Sequence, residues 1–172
     1  VIEDALRYVE HNRSIKLDID TIPLDDSKVF EILSNAYTAG LFQVDSDLFK
    51  SILVEMRPNR FEDIIALVAL GRPGPLGMGM DKVYCESSHD PEKISYPHAK
   101  LEELLRETYG VLLYQEQVMN TAVILAGYTM AEADDLRKVM GKKIVEKMPL
   151  HREKFVEGAA NLHEIEEATP TS

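Results

Sequence analysis

The residues best suited to bind a ligand lie in one short basic segment. Leu136–Lys143 reads L-R-K-V-M-G-K-K and contains four cations within seven residues: Arg137, Lys138, Lys142 and Lys143. Segment 137–154 carries seven cations and two acids, although the whole chain has a net charge of −11. A local excess of positive charge in an acidic protein indicates a site for a polyanion, most simply a phosphate chain.

The spacing of these cations suits such a site. Arg137 can grip a phosphate with two parallel N–H donors, whereas lysines supply point charges. Gly141 is expected to end the helix that begins near Thr129, and this would let Lys142 and Lys143 swing off the helix end. The alternative is a solvated helix end, because cations there also complement the macrodipole.

A second segment, Thr108–Met119 (T-Y-G-V-L-L-Y-Q-E-Q-V-M), combines an aromatic ring with amides and an acid. A tyrosine beside amide and carboxylate side chains can stack on a base or a sugar while these neighbours form hydrogen bonds around it. Equally, the tyrosines can belong to the core with a wet hydroxyl. The candidate residues are Tyr114, Gln115, Glu116 and Gln117.

A third candidate is the loop that begins Gly71-Arg72-Pro73-Gly74-Pro75. Two prolines and four glycines predict an irregular segment over Gly71–Met80. A stiffened loop can hold Arg72 ready for a phosphate or a base, with Gly74 beside it. The alternative is a chain reversal with a solvated arginine.

Metal and nucleophile motifs are not found. Cys85, His89 and His98 are loosely spaced and lack a fourth ligand, so no metal site is predicted. The sequence contains no phosphate-binding glycine loop of the G-x-x-x-x-G-K-[ST] type and no G-x-S-x-G motif. The acidic pairs are expected to be solvated: Asp25–Asp26, Glu102–Glu103, Asp134–Asp135 and Glu166–Glu167.

The chain has 172 residues and 45% hydrophobic content, enough for one domain with a core. No segment approaches the roughly 18 apolar residues that cross a membrane. A single cysteine cannot form an internal disulfide, which is typical of a reducing compartment. A cytoplasmic protein without membrane contact is therefore expected.

Hydrophobic periodicity predicts a mainly α, multi-helical fold with irregular Gly/Pro loops and little strand. Asp25 or Asp26, Ser46 and two S/T/N-x-x-E patterns, at Asn59 and Thr129, indicate helix starts. Residues 17–23 are expected to be an extended connector and residues 81–97 a polar loop. Residues 109–114 fit either a short strand or a buried turn. The predicted helices cover approximately residues 1–12, 26–35, 46–57, 59–70, 98–107, 115–126, 129–141 and 145–163.

Six motifs in order resemble the alpha catalytic subunit of bacterial DNA polymerase III, the C-family replicative polymerases. Besides the two segments already described, they include I-P-L-D-D, G-L-F-Q-V-D-S and F-E-D-I-I-A-L-V-A-L-G-R-P-G-P-L. The remaining matches are A-G-Y-T-M-A-E-A-D-D at the start of the basic motif and R-E-K-F-V-E-G-A near the end. The resemblance covers approximately Val1–Ala159.

The resemblance implies a fragment of the fingers domain together with the end of the palm. Residues 1–22 would be the palm-to-fingers connection, 23–160 the partial fingers domain and 161–172 a frayed tail. The family's catalytic carboxylates bind Mg²⁺ in the palm, outside this chain. The fragment alone is therefore expected to be inactive, although its parent would be a DNA-directed DNA polymerase.

The resemblance also assigns residue roles. The two adjacent basic residues of the family motif meet the triphosphate of the incoming dNTP, and here they are Arg137 and Lys138. Lys142 and Lys143 match the motif's two lysines, and Arg72 matches the arginine of R-P-G-P. The Y-Q-E-Q run, with Gly74, would support the same pocket. The implied partners are dNTP, template-primer DNA, and the remaining domains and subunits of the replisome.

Two other function classes remain open. One is a non-catalytic helical module, a polymerase relic that binds a protein partner. The other is a helical nucleic-acid-binding domain without nucleotide chemistry.

Overall fold

The computed structural model describes residues 1–163, and within this range the chain is helical with no strand. Short 3₁₀ turns connect several of the helices, including Ile19–Thr21, Ala99–Leu101 and Val145–Lys147. The α-helices are α1 Ile2–Arg13, α2 Ser27–Ser34, α3 Asp47–Met56, α4 Phe61–Leu70, α5 Pro73–Gly77, α6 Met80–His89, α7 Glu102–Leu105, α8 Gln115–Ala126, α9 Met130–Gly141 and α10 Met148–His163.

Several predicted helix ends are confirmed. Asp26 caps α2 by accepting the Lys28 N–H at 2.9 Å, and Ser46 caps α3. Gly141 is the last residue of α9, as its position predicts. The predicted helix over residues 98–107 exists, but two 3₁₀ turns flank the short α7 within it.

Four local predictions are wrong. The loop over Gly71–Met80 contains α5, because a proline in the first turn has no N–H to lose and its fixed φ suits helix entry. The extended connector over 17–23 contains a 3₁₀ turn that the Asp18 carboxylate caps. The polar loop over 81–97 contains the helix α6. At Asn59 there is no capping box, because the Asp63 carboxylate accepts the Asn59 N–H instead.

The first half of the chain packs α2, α3, α4 and α6 around one apolar core. Leu53, Leu67 and Leu70 are completely buried there, and Val111 joins them from the turn before α8. Residues 109–111 form this turn, which settles the choice between strand and turn: Tyr109 and Gly110 both have positive φ. The helix α1 contains no buried residue, so the described part of the chain gives it little support.

The second half is a bundle of α8, α9 and α10. Ala122 and Ala126 of α8 face Ala133 and Leu136 of α9, and Phe155 of α10 packs on the same cluster. Small residues at this contact let the two helices approach closely. The Tyr128 hydroxyl donates to the His151 carbonyl at 2.9 Å, which ties the loop between α8 and α9 to α10. This bundle positions the basic segment.

Cys85 lies inside the first core and not in a solvated loop. Its side chain is 1% exposed, and burial, with help from nearby carboxylates such as Glu55, raises the pKa of its thiol to about 12. At pH 8 the reactive thiolate fraction is then about a thousandfold smaller than for a thiol of pKa 9.0. We expect the folded protein to resist iodoacetamide at pH 8 and the urea-unfolded chain to react fully, as measured by mass spectrometry. Rapid labelling of the folded protein would contradict the buried position.

Candidate functional site

The helix α9 carries the basic segment and begins at a confirmed capping box. The Thr129 hydroxyl accepts the Glu132 N–H at 3.4 Å, and the Glu132 carboxylate accepts the Thr129 N–H at 3.0 Å. Lys154 of α10 also pairs with Glu132. The Lys154 contact, together with the Thr129 N–H, lowers the pKa of Glu132 to about 2. The start of α9 is therefore fixed to α10. The stability that the ionised Glu132 contributes is lost only as the pH falls from about 4.5 through about 2.

Arg137 is held from two directions. Its Nε and Nη2 donate to the same Asp134 oxygen at 2.9 and 2.7 Å, and its Nη1 donates to Gln115 Oε1 at 3.1 Å. Asp134 lies one turn earlier on α9, whereas Gln115 opens the neighbouring helix α8. The guanidinium therefore sits at the junction of two helices and still keeps 30% of its side-chain surface exposed.

Lys138 pairs with the same carboxylate. Its Nζ lies 2.6 Å from the second Asp134 oxygen, so one aspartate serves both cations. These two contacts, that of Lys138 first, lower the pKa of Asp134 below its usual range. The predicted solvation of this acidic pair is confirmed for Asp135, whose side chain is 51% exposed, but Asp134 is only 34% exposed and is paired with two cations, which was not predicted. Spacings of three and four residues on a helix bring opposite charges together, and this signal was present in the sequence.

Asp135 also has partners. Its Oδ2 lies 3.2 Å from His151 Nε2, and its Oδ1 lies 4.0 Å from Lys147 Nζ. The His151 side chain is 9% exposed and stacks near Tyr128. This second aspartate therefore fixes α10, and it makes no hydrogen bond or ion pair with Arg137 or Lys138. Of the other acidic pairs, Glu166–Glu167 lies outside the described residues.

Lys142 and Lys143 follow the last turn of α9 and are exposed. Lys143 has a left-handed φ of 53°, which turns the chain away from the helix axis. Within residues 1–163 neither ammonium group has a carboxylate partner, in contrast to Lys138. These two charges are therefore available to an external anion, and the carbonyl end of α9 favours cations at this position in any case.

The Y-Q-E-Q run divides into different roles. Gln117 is 6% exposed, and its Oε1 accepts the N–H groups of Leu113 and Tyr114 at 2.9 Å each. Its amide group donates to Thr108 Oγ1 at 2.9 Å, so Gln117 fixes the turn before α8 from inside. Tyr114 is half-buried, and burial raises the pKa of its phenol. Glu116 is exposed. Of the four residues, only Gln115 makes a hydrogen bond with the basic segment.

Arg72 and Gly74 are both exposed at the start of α5. Arg72 is exposed at the residue before α5, and its guanidinium makes no hydrogen bond or ion pair within the described part of the chain. A methyl group at Gly74 would meet nothing within 4 Å. No hydrogen bond or ion pair of residues 1–163 joins Arg72 to the cations of α9, so its place in a common pocket stays a prediction.

An apolar cavity of about 280 Å³ lies beside the site, between α8, α9 and α10. Its lining is almost wholly hydrocarbon, which does not suit a phosphate chain. The cation cluster on the surface of α9 is therefore the better anion site. The cavity is lined by Leu112, Val118, Thr121, Leu136, Met140, Met148, His151, Arg152, Phe155 and Val156.

Residues 1–163 show neither a cluster of metal-ligating side chains nor a membrane-spanning helix. No three metal-ligating side chains of the His, Cys, Asp or Glu type come together in this range. No helix there has the length and apolarity to span a bilayer.

The fold and the positions of these motifs define a class of protein. Residues 1–163 match the model of the bacterial DNA polymerase III alpha subunit finger domain, and the chain belongs to this family. The predicted family and the predicted mainly α fold are both confirmed. The boundary at residue 22 between palm connection and fingers stays a prediction, and most of the tail at 161–172 lies outside the described residues.

Individual relatives agree with this assignment. The chain is 47% identical over 163 residues to the DNA polymerase III subunit alpha of Thermus aquaticus. It is 44% identical over 159 residues to that of Staphylococcus aureus and 42% identical over 162 residues to that of Helicobacter pylori. These alignments include 92–94% of this chain but only 13–15% of each relative. The chain thus corresponds to a small part of proteins of this kind.

Proposed function

We propose that this chain is the fingers segment of a cytoplasmic replicative DNA-directed DNA polymerase, and that α9 binds the triphosphate of the incoming dNTP. The carrying observation is the cation cluster of α9 in a chain of the finger-domain family. Two of its cations, Lys142 and Lys143, have no acidic partner in the described range. A deoxynucleoside triphosphate carries the concentrated negative charge that such a cluster attracts.

Arg137 is the central donor in this proposal. Its contact with Gln115 fixes the guanidinium between α8 and α9, and its exposed surface leaves donors for phosphate oxygens. Lys138, Lys142 and Lys143 add positive charge along the same face and the helix end. Cations placed on the leaving pyrophosphate stabilise the charge that develops during nucleotidyl transfer. Arg72 would belong to the same pocket, and Tyr114–Gln117 with Gly74 would support it.

The chain would work together with parts of the polymerase that lie outside it. Mg²⁺ would be bound by carboxylates of the palm, so the fragment alone would be inactive. Its partners would be dNTP, template-primer DNA, replisome subunits and the other domains. An apolar groove of about 460 Å³ between α2, residues 41–44 and α4 supports contact with those domains. Phe42 at this groove is 90% exposed, and patches of this kind mark interfaces.

The substitution Arg137→Ala in the full-length polymerase tests this proposal. The variant loses charge-assisted hydrogen bonds to the triphosphate, so we expect the KM for dNTP to rise by about 10- to 100-fold, or ~1.4–2.7 kcal/mol. The affinity for primer–template DNA, measured by fluorescence anisotropy, should change little. Single-nucleotide incorporation at varied dNTP concentration supplies the KM.

Arg7→Ala is the matched control. Arg7 pairs with Asp4 at 2.9 Å with the same three-residue spacing as Arg137 and Asp134, but it lies on the exposed helix α1. Its removal should leave the KM for dNTP unchanged. If Arg137→Ala also leaves the KM unchanged, the basic segment does not bind the nucleotide. A helical protein-interaction module would then be the better description of this surface.

A further inference from the structure

Asp134 is the acidic residue at the centre of the basic segment. We infer that Asp134 occupies Arg137 and Lys138 in the ligand-free protein, that the triphosphate displaces it, and that this competition excludes anions of low charge. The inference rests on the proposed function of α9. It assigns Asp134 the role of a positioning residue that acts through the two cations and does not itself touch the substrate.

The geometry places Asp134 where a phosphate oxygen pair would be received. Three donors converge on its carboxylate: Arg137 Nε and Nη2 on one oxygen at 2.9 and 2.7 Å, and Lys138 Nζ on the other at 2.6 Å. Forked guanidinium donors and an ammonium group bind phosphate in the same manner. The carboxylate thus uses the donors that the nucleotide needs.

The three side chains remain accessible, so the exchange is not costly. Relative exposure of the side chains is 30% for Arg137, 34% for Asp134 and 52% for Lys138. Ion pairs with this much solvent contact contribute little stability. A triphosphate offers several negative oxygens to four cations, whereas a singly charged anion only replaces one carboxylate by another negative group. The carboxylate therefore sets a charge threshold for binding.

Arg137 also has a contact that does not involve Asp134. Gln115 accepts a hydrogen bond from Arg137 Nη1 at 3.1 Å and belongs to a different helix, so this contact is retained when the Asp134 carboxylate is displaced. Removing the negative charge of Asp134 should then make the cations available while the Arg137 guanidinium keeps its position. The same competition would help to release pyrophosphate, because Asp134 can form its ion pairs with Arg137 and Lys138 again.

Asp134→Asn in the full-length polymerase tests this inference. The amide keeps the size of the side chain and removes its charge. In the wild type, only the fraction of protein whose cations are free of Asp134 can bind dNTP, and this lowers the apparent affinity. The substitution removes this competition, so we expect the KM for dNTP to fall by about threefold to fivefold. The inhibition constant of pyrophosphate should fall in parallel, and inorganic phosphate should become a stronger inhibitor than it is of the wild type.

Asp135→Asn is the control, since the same substitution one residue later removes a charge that faces Lys147 and His151. It should leave the KM and both inhibition constants unchanged. An unchanged or raised KM in Asp134→Asn overturns the inference, because Asp134 would then be neutral or needed to orient Arg137. A fall of the same size in Asp135→Asn also overturns it, since any acid near the site would then act alike.

The double variant Arg137→Ala/Asp134→Asn separates this inference from the proposed function. If Arg137→Ala raises the KM, the proposed function holds whatever Asp134→Asn does. On that background, the further effect of Asp134→Asn should shrink to the part that acts through Lys138. A full threefold to fivefold effect without Arg137 would contradict a competition centred on the guanidinium.

Discussion

Asp63→Ala is expected to destabilise the chain by about 3–5 kcal/mol, the range for removing one partner of a buried charge network. Asp63 is 3% exposed, and its Oδ1 accepts from Arg60 Nε at 3.1 Å and from the Tyr84 hydroxyl at 3.0 Å. Its other oxygen accepts the Asn59 N–H at 3.2 Å. Alanine leaves these donors unpaired, and urea denaturation followed by circular dichroism measures the loss.

Tyr84 accounts for much of this expected loss. The residue is completely buried, and burial, followed by the negative charge of Asp63, raises the pKa of its phenol. Without Asp63 the hydroxyl has no acceptor, and a buried donor without a partner costs about 1–3 kcal/mol. Arg60 loses less, because its side chain is 32% exposed and can turn toward water.

Two further variants show whether the destabilisation by Asp63→Ala comes from the lost hydrogen-bond network or from the loss of any carboxylate. Asp63→Asn keeps an acceptor for the Tyr84 hydroxyl but places an amide donor against other donors. Its loss of folding stability should therefore be smaller than that of Asp63→Ala. Asp26→Ala removes an exposed carboxylate that caps α2, and this costs about 1 kcal/mol. If Asp63→Ala costs no more than Asp26→Ala, the network does not stabilise the core.

The same network connects the core with the candidate site. Arg60 Nη2 donates to the Glu107 carbonyl at 2.7 Å, and the Arg60 guanidinium lies 4.8 Å from the centre of the Tyr109 ring. These contacts fix the turn that leads into α8. Gln117 holds the same turn from the other side through Thr108. The position of Gln115 beside Arg137 therefore depends on residues of the first half of the chain.

Local signals predicted most helices of this fold. Ser46 and the Thr129–Glu132 pair form hydrogen bonds that involve only neighbours in sequence, so their effect can be recognised without knowing the rest of the chain. The apolar spacing of α8 and α9 acts in the same way, since each helix buries one face. The ends of these helices were therefore accessible from the sequence.

A contact between distant residues explains the wrong prediction for residues 81–97. The helix α6 contains D-K, E-S-S and H, which look like a loop, and its buried tyrosine is tolerated only because Asp63 lies opposite in the fold. The predicted capping box at Asn59 does not form, because the Asp63 carboxylate accepts the Asn59 N–H and also binds Arg60 and Tyr84. A partner 21 residues away leaves no local pattern.

The candidate site was partly predictable. The four cations of the basic segment were recognised from their density in the sequence. Asp134 was misjudged because acidic residues were grouped as adjacent pairs and not by helical spacing. Gln115 could be placed near a phosphate site only by resemblance, because its contact with Arg137 depends on the packing of α8 against α9.

Gly158→Ala is expected to destabilise the chain by about 2–3 kcal/mol, although alanine normally stabilises a helix. A methyl group at Gly158 of α10 would lie 2.2 Å from the Ala126 carbonyl oxygen and 2.8 Å from its carbonyl carbon. These are backbone atoms at the end of α8, so no side-chain rotation relieves the contact. The two helices must separate, and overpacking of this kind costs about 1–3 kcal/mol in addition to lost contacts.

Gly141→Ala provides a comparison of opposite sign. Gly141 is the last residue of α9, and a methyl group there would meet nothing within 4 Å. Replacing it should stabilise the chain by up to about 1 kcal/mol through helix propensity alone. Urea denaturation of both variants gives the two signs directly. Equal stability of the two variants would mean that α10 does not cross α8 as closely as described, and the support that α10 gives to α9 through Lys154 and Phe155 would then need another explanation.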